Sequence, residues 1–138
     1  METSRLVVDT DVIIDHLRRS RSVLPLALKS LACAITAITL YELHAVAELT
    51  PAQRKPLQDV IDAVTVEPLD KEAAERSAAV WRDLAGRGEL ISVPDILTAG
   101  ICLQREALFL TRNNRHFSRV AGLRVISPED LQARFGGA

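Results

Sequence analysis

Cysteine and aromatic side chains are both scarce in this chain. The two cysteines, Cys33 and Cys102, lie far apart in apolar surroundings. No C-x-x-C or Cys/His ligand pattern accompanies them, which argues against a zinc centre. They read as two small buried hydrophobes in a reducing compartment. Aromatic residues make up 4% of the chain, so Leu, Val, Ile and Ala must fill the core. Long hydrophobic runs are missing too. The longest uncharged stretch, Ser30 to Tyr41, falls short of the about 20 residues a membrane-spanning helix needs. The amino-terminal METSRLVVD lacks the layout of a signal peptide, and a cytoplasmic protein is the expectation. No P-loop, G-x-G-x-x-G fingerprint or G-x-S-x-G elbow is found, so nucleotide-driven and dinucleotide chemistry fit poorly. Charge of neither sign dominates. The formal net charge is -1, which speaks neither for nor against a nucleic-acid partner. Lysine is rare, however: 14 of the 17 basic residues are Arg. Arg grips phosphate through two parallel hydrogen bonds, although a surface laced with ion pairs would show the same bias.

The chain has 138 residues, the length of a single domain spanning 1–138 that hides roughly 70% of its unfolded surface. Short apolar runs alternate with longer amphipathic ones. Leu6-Val7-Val8, Ala32 to Ile38, Val64-Thr65-Val66, Leu108-Phe109-Leu110 and Arg124-Val125-Ile126 read as strands. Helices are expected over Thr10–Arg19, Val23–Ser30, Thr39–Leu49, Thr50 to about Ala63, Lys71–Leu84 and Val93–Arg105. The helix from Lys71 should stop at Gly86 and Gly88. Val93–Arg105 is the most apolar and so the most buried. Ser127-Pro128 starts a C-terminal helix, with Ser as cap and Pro at its first position. This alternation predicts an α/β fold, a three-layer α/β/α sandwich around a mostly parallel sheet. In such sheets functional groups collect at the carboxyl ends of the strands, near a topological switch point.

Four polar residues fall at those places. Asp9 closes the first strand, Glu42 and Asp95 lie early in helices, and Asn113 follows the 108–110 strand. Three carboxylates converging on one edge repel one another unless a cation or a proton intervenes. Oxygen-only ligands suit Mg²⁺ or Mn²⁺, and such an ion can promote phosphodiester hydrolysis. A purely structural role competes with this. Thr39-Leu40-Tyr41-Glu42 and Ser92-Val93-Pro94-Asp95 both have the form of capping boxes, in which the acid reaches back to the cap's own N–H. Asp9 can likewise end a strand and cap the next helix. The two roles overlap, because a carboxylate in a first helical turn after a strand already points out at the sheet's carboxyl edge.

The segments VVDTDVIIDHL, ITLYEL, VPDILTAGICL and LTRNNRHFSRVAGLRVI, taken in order, resemble those of PIN domains. More narrowly, they resemble the VapC toxins of toxin–antitoxin pairs. The resemblance runs from Leu6 to about Ile126. It implies a PIN-like sandwich with endoribonuclease activity dependent on Mg²⁺ or Mn²⁺. It also implies an RNA substrate, a homodimer and a cognate antitoxin. Carried onto this chain, Asp9, Glu42 and Asp95 are the first, second and third acids. They are the expected catalytic and metal-binding set, with Asp9 and Asp95 as direct ligands. Thr10 and Asp11 follow the first acid, and Asp11 departs mildly from the Asn that many relatives carry. Asn113 stands where many PIN domains have a fourth acid, which lowers the expected site charge to -3 and favours one resident cation. Asn113, Thr10, Thr111 and Arg112 are expected behind the ligands or on phosphate.

His16, His44 and His116 are weaker candidates, since none has an orienting partner evident in the sequence. Arg112, Arg115 and Arg119 flank Asn113 and are candidates for phosphate contact; Arg18, Arg19 and Arg21 form a second cluster. Trp81 reads as core or dimer packing. Other readings are a PIN nuclease of RNA processing that is not a toxin, and a binding module whose acids are only caps. A receiver-like module would want a Lys near the last strand, and no Lys follows Lys71.

Overall fold

The computed structural model describes residues 5–19, 21–45 and 47–137. Among these residues five strands form one all-parallel sheet in the order β3-β2-β1-β4-β5: β1 Arg5–Val8, β2 Ala32–Thr36, β3 Thr65–Glu67, β4 Leu108–Leu110 and β5 Arg124–Ile126. The chain first builds outward from β1 to β2 and β3, then returns to add β4 on the other side of β1. The switch point is therefore the crevice between β1 and β4, where ligands of open α/β sheets bind.

Among the described residues eight helices cover the sheet: α1 Thr10–Arg18, α2 Leu24–Ser30, α3 Ala37–Ala45, α4 Pro51–Ala63, α5 Lys71–Gly86, α6 Val93–Gln104, α7 Asn114–Phe117 and α8 Pro128–Phe135. Side-chain alternation along the strands sets the layers. Leu6, Val8, Ile35, Leu110 and Ile126 pack with Val12 and Ile13 of α1, Leu24 of α2, Leu43 of α3, Leu57 of α4 and Leu131 of α8. Val7, Ala34 and Phe109 face the other way, toward Cys102 of α6 and Phe117 of α7. The Phe109 and Phe117 rings meet edge to face with centroids 4.7 Å apart. On that same side α5 and α6 pack through Val80, Leu84, Ile96 and Ala99. The three-layer α/β/α sandwich expected from the sequence is the one observed.

Gly100 allows α5 and α6 to approach closely. A methyl there would overlap the Ser77 hydroxyl and come within 2.7 Å of the Ala73 carbonyl. α5 runs through Gly86, and the left-handed residue that ends it is Gly88, at φ 68°. Its N–H reaches Ala85 O, and that of Glu89 reaches Leu84 O, the Schellman pattern.

Several expected boundaries shift. β2 ends at Thr36 and α3 begins at once with Ala37. The residue that caps α3 is Thr36, whose Oγ1 accepts the N–H of Thr39. Thr39 therefore lies inside the helix, and the capping box predicted for Thr39–Glu42 does not exist. α3 stops at Ala45 rather than Leu49; Val46, within the expected span, lies outside the described residues. The four-residue α7 was not expected. Trp81 is half exposed on α5, so it is not a core residue of this chain. Cys102 is buried and Cys33 half-buried, both as free thiols.

Candidate metal centre

The exits of β1 and β4 are bonded together at the switch point. Asp9 donates its N–H to Leu110 O at 2.9 Å. It caps α1, with Oδ1 accepting the N–H of Thr10 at 2.8 Å. Its other oxygen, Oδ2, accepts the hydroxyl of the fully buried Thr111 at 2.7 Å. Burial, and after it the charge of Asp11, push the Asp9 carboxyl up to about 7, against the opposing pull of the Thr111 and Thr10 hydrogen bonds; Asp95 adds a smaller upward push. Ordinary aspartate ionises near 4. Without a cation beside it, this group is held between its charged and neutral forms at neutral pH.

Asp95 lies in the first turn of α6, below the cap Ser92, whose Oγ accepts the Asp95 N–H at 3.4 Å. Burial raises its carboxyl, opposed by hydrogen bonding from Ser92 and by the charge of His116. Asp95 is thus both a residue of a capping turn and a neighbour of the switch point.

Glu42 sits differently. Its Oε1 accepts the Thr10 hydroxyl at 2.6 Å, and the Thr39 hydroxyl lies 3.0 Å from that of Thr10. With Ile14 and Arg18, Thr10 and Glu42 line a shallow cavity of about 300 Å³. Because Thr36 is the cap, Glu42 has no capping duty to perform. Its link to Asp9 runs through Thr10, which bonds Glu42 by its hydroxyl and Asp9 by its N–H.

Asn113 does not point its amide at the acids. Nδ2 bonds His116 Nδ1 at 2.9 Å, and the Asn113 N–H donates to Thr111 Oγ1 at 3.0 Å. A chain of polar groups thus runs from Asp9 through Thr111 and Asn113 to His116. His116 has the orienting partner that the linear sequence did not reveal; the clue was its spacing of three from Asn113. His44 is exposed, and His16 bonds Ser22. The Arg112 guanidinium reaches Asp15 at 3.2 Å, and that of Arg119 lies beside Glu89. Arg115 is exposed.

Asp11, noted in the sequence only as a mild departure after the first acid, has its charge felt at Asp9. Its carboxylate takes the backbone N–H of Arg112, at 3.4 Å to Oδ1 and 3.3 Å to Oδ2. Burial raises it most, and Asp95 raises it a little further. The count of three acids at this edge therefore left one out. The D-T-D spacing at the start of a helix was the available signal.

Among the described residues, no three Asp, Glu, His or Cys side chains have converged as a ready metal cage. Each acid is turned to a local partner: Asp9 to Thr111 and Thr10, Asp11 to Arg112, Asp95 to Ser92, Glu42 to Thr10. The donor set still fits a hard divalent cation. It is all oxygen, burial holds Asp9 back from ionising, and Mg²⁺ binds directly to only one or two carboxylates while keeping several waters.

The PIN domain family model matches residues 6–123, and the chain belongs to that family. No curated protein matches it. Among solved structures, it is similar to DNA-bound VapBC from Salmonella typhimurium, at 26% identity and a TM-score of 0.79 over 90% of this chain and 98% of that one. VapBC-5 from Mycobacterium tuberculosis, of the VapBC toxin–antitoxin family, also aligns at 26% identity, with a TM-score of 0.67 over 90% of this chain and 98% of that one. VapBC2 from Rickettsia felis, bound to a fragment of promoter DNA, aligns at 18% identity and a TM-score of 0.80 over 89% and 98%, a likeness of fold alone. The nuclease fold of VapC-type toxins is thus the fold of this chain.

Proposed function

We propose that this protein is a divalent-cation-dependent endoribonuclease that hydrolyses RNA phosphodiester bonds, the toxin of a VapBC-type pair restrained by a cognate antitoxin. The observation that carries the reading is the placement of Asp9, bonded to Leu110 and Thr111 where β4 meets β1. A carboxyl capping α1 at the switch point of a PIN fold, raised to about 7 by burial and by other aspartates, is completed by a cation. Asp9 and Asp95 would hold Mg²⁺ or Mn²⁺. When bound, such an ion draws a phosphate oxygen and lowers the pKa of water toward neutrality.

The chain's own residues supply the rest. Thr111 fixes Asp9 through Oδ2 and leaves it one face. Thr10 fixes Glu42 through Oε1, so Oε2 remains to orient the water that attacks phosphorus. His116, whose charge reaches Asp95, and Asn113 bonded to it can steady phosphate or water. Arg112 can exchange Asp15 for a phosphate at little cost, since exposed ion pairs contribute at most about 1 kcal/mol. A homodimer and a cytoplasmic location belong to the same reading. Total RNA offered to the purified protein should be cut with Mn²⁺ and spared in EDTA. Co-expression with an adjacent antitoxin-like gene should suppress the cutting. Cleavage unaffected by EDTA would overturn the metal assignment. Absence of cleavage under every metal condition would overturn the nuclease.

A further inference from the structure

We propose that Asp11 is a fourth carboxylate of the metal centre, reaching the ion through its water shell and setting how tightly the ion is held. The inference rests on the metal-dependent reading above and adds a residue to it.

Three successive residues leaving β4 are bonded to the turn that leaves β1. Leu110 O takes the Asp9 N–H at 2.9 Å, the Thr111 hydroxyl donates to Asp9 Oδ2 at 2.7 Å, and the Arg112 N–H donates to Asp11. The side chains of Asp9 and Asp11 are therefore fastened one residue apart along the same stretch of backbone, facing one crevice. Asp11 is also under-bonded. Its two oxygens take the Arg112 N–H at 3.3 and 3.4 Å and a weaker pull from the Val12 N–H, whereas an ionised carboxylate offers about four acceptor sites. The Arg112 guanidinium bonds Asp15 rather than Asp11, although its charge also favours the ionised Asp11. Asn113, next along the same exit, is turned to His116 and carries no charge. Asp11 thus supplies the negative charge that the β4 exit lacks.

A first-turn acid also favours a helix by complementing its dipole. The two roles predict opposite effects in metal-free protein. If Asp11 served the dipole, Asp11→Asn would lower the melting temperature. If it crowds Asp9 and Asp95, Asp11→Asn leaves the metal-free melting temperature unchanged or raises it.

The test is calorimetric titration of Mn²⁺ into the full chain at pH 8, alongside metal-free melting. Wild type should bind. Asp11→Asn should bind about 10-fold more weakly, the usual loss when a group behind the ligands is removed, with an undiminished metal-free melting temperature. Asp11→Ser, which keeps an oxygen near the Arg112 N–H, should behave alike and guards against a folding defect peculiar to one variant. Asp15→Asn, one turn along α1, should bind as wild type does. Equal affinity in wild type and both Asp11 variants would overturn the inference alone, as would an equal loss in Asp15→Asn or a lowered metal-free melting temperature in both Asp11 variants. Wild type that binds no Mn²⁺ would instead overturn the metal-dependent reading beneath it.

Discussion

Thr111 donates its hydroxyl proton to Asp9 Oδ2 across 2.7 Å, joining the exit of β4 to the exit of β1. The Thr111 hydroxyl oxygen in turn accepts the Asn113 N–H. One buried hydroxyl thus orients the first acid and starts the turn that carries Asn113 and His116. Thr111→Val keeps the shape and removes both bonds. The half-buried Asn113 N–H is left without its acceptor, so stability should fall by about 1–3 kcal/mol in chemical denaturation. Mn²⁺ should bind more weakly, because Asp9 loses a bond that favours its ionised form.

Asp9 makes the metal-free protein sensitive to pH. Its folded-state pKa of about 7 lies above the ordinary 3.8, so the folded state holds the proton where the unfolded state has lost it. Stability from this group is full below about 4 and is lost as pH rises through about 7. The total is on the order of 4 kcal/mol. Metal-free wild type should melt lower at pH 8 than at pH 5, and Asp9→Asn should flatten that difference. A cation competes with the same proton, so Mn²⁺ affinity should fall as pH drops through about 7. An affinity independent of pH from 8 to 5.5 would contradict the placement of the ion on Asp9.

Gly100 should matter for packing and not for chemistry. Gly100→Ala drives a methyl against Ser77 and the Ala73 carbonyl, and parting α5 from α6 should cost about 1–3 kcal/mol. The surviving folded fraction should retain its Mn²⁺ affinity. A neutral outcome in denaturant titration would show that the two helices can part more easily than their contact implies.

Arg112 is half exposed and holds Asp15. If it turns to RNA, Arg112→Ala should lower the log–log salt slope of binding by about 0.7 on a single strand. The check is RNA binding by a catalytically silent Asp95→Asn background at several salt concentrations. An unchanged slope would leave Arg112 as a surface ion pair.

Much of the sheet was legible because its strands are short apolar runs that stop at turn residues. Leu6-Val7-Val8 ending in Asp9 and Leu108-Phe109-Leu110 ending in Thr111 both sit where expected. The end of β2 was harder. Ala37-Ile38 continues the apolar run into α3, and nothing local distinguishes a buried strand from a buried helix over two residues. That slip moved the cap from Thr36 to Thr39 and gave Glu42 a capping role it does not have. α7 is four residues long, too short for a helical period to show. Asp9, Glu42, Asp95 and Asn113 were named from their places after strands. Asp11 was passed over because its importance depends on Arg112, 101 residues away. The tie between Asn113 and His116 depends on a backbone turn that sequence spacing alone does not specify.

The measurement closest to the central claim is cleavage of a defined RNA by wild type, Asp9→Asn and Asp95→Asn, each with Mn²⁺ and with EDTA. The account predicts cleavage by wild type with Mn²⁺ only, and loss of at least about two orders of magnitude in both variants, which should still fold. An Asp9→Asn protein that cuts RNA at the wild-type rate, or that cuts equally in EDTA, would contradict it.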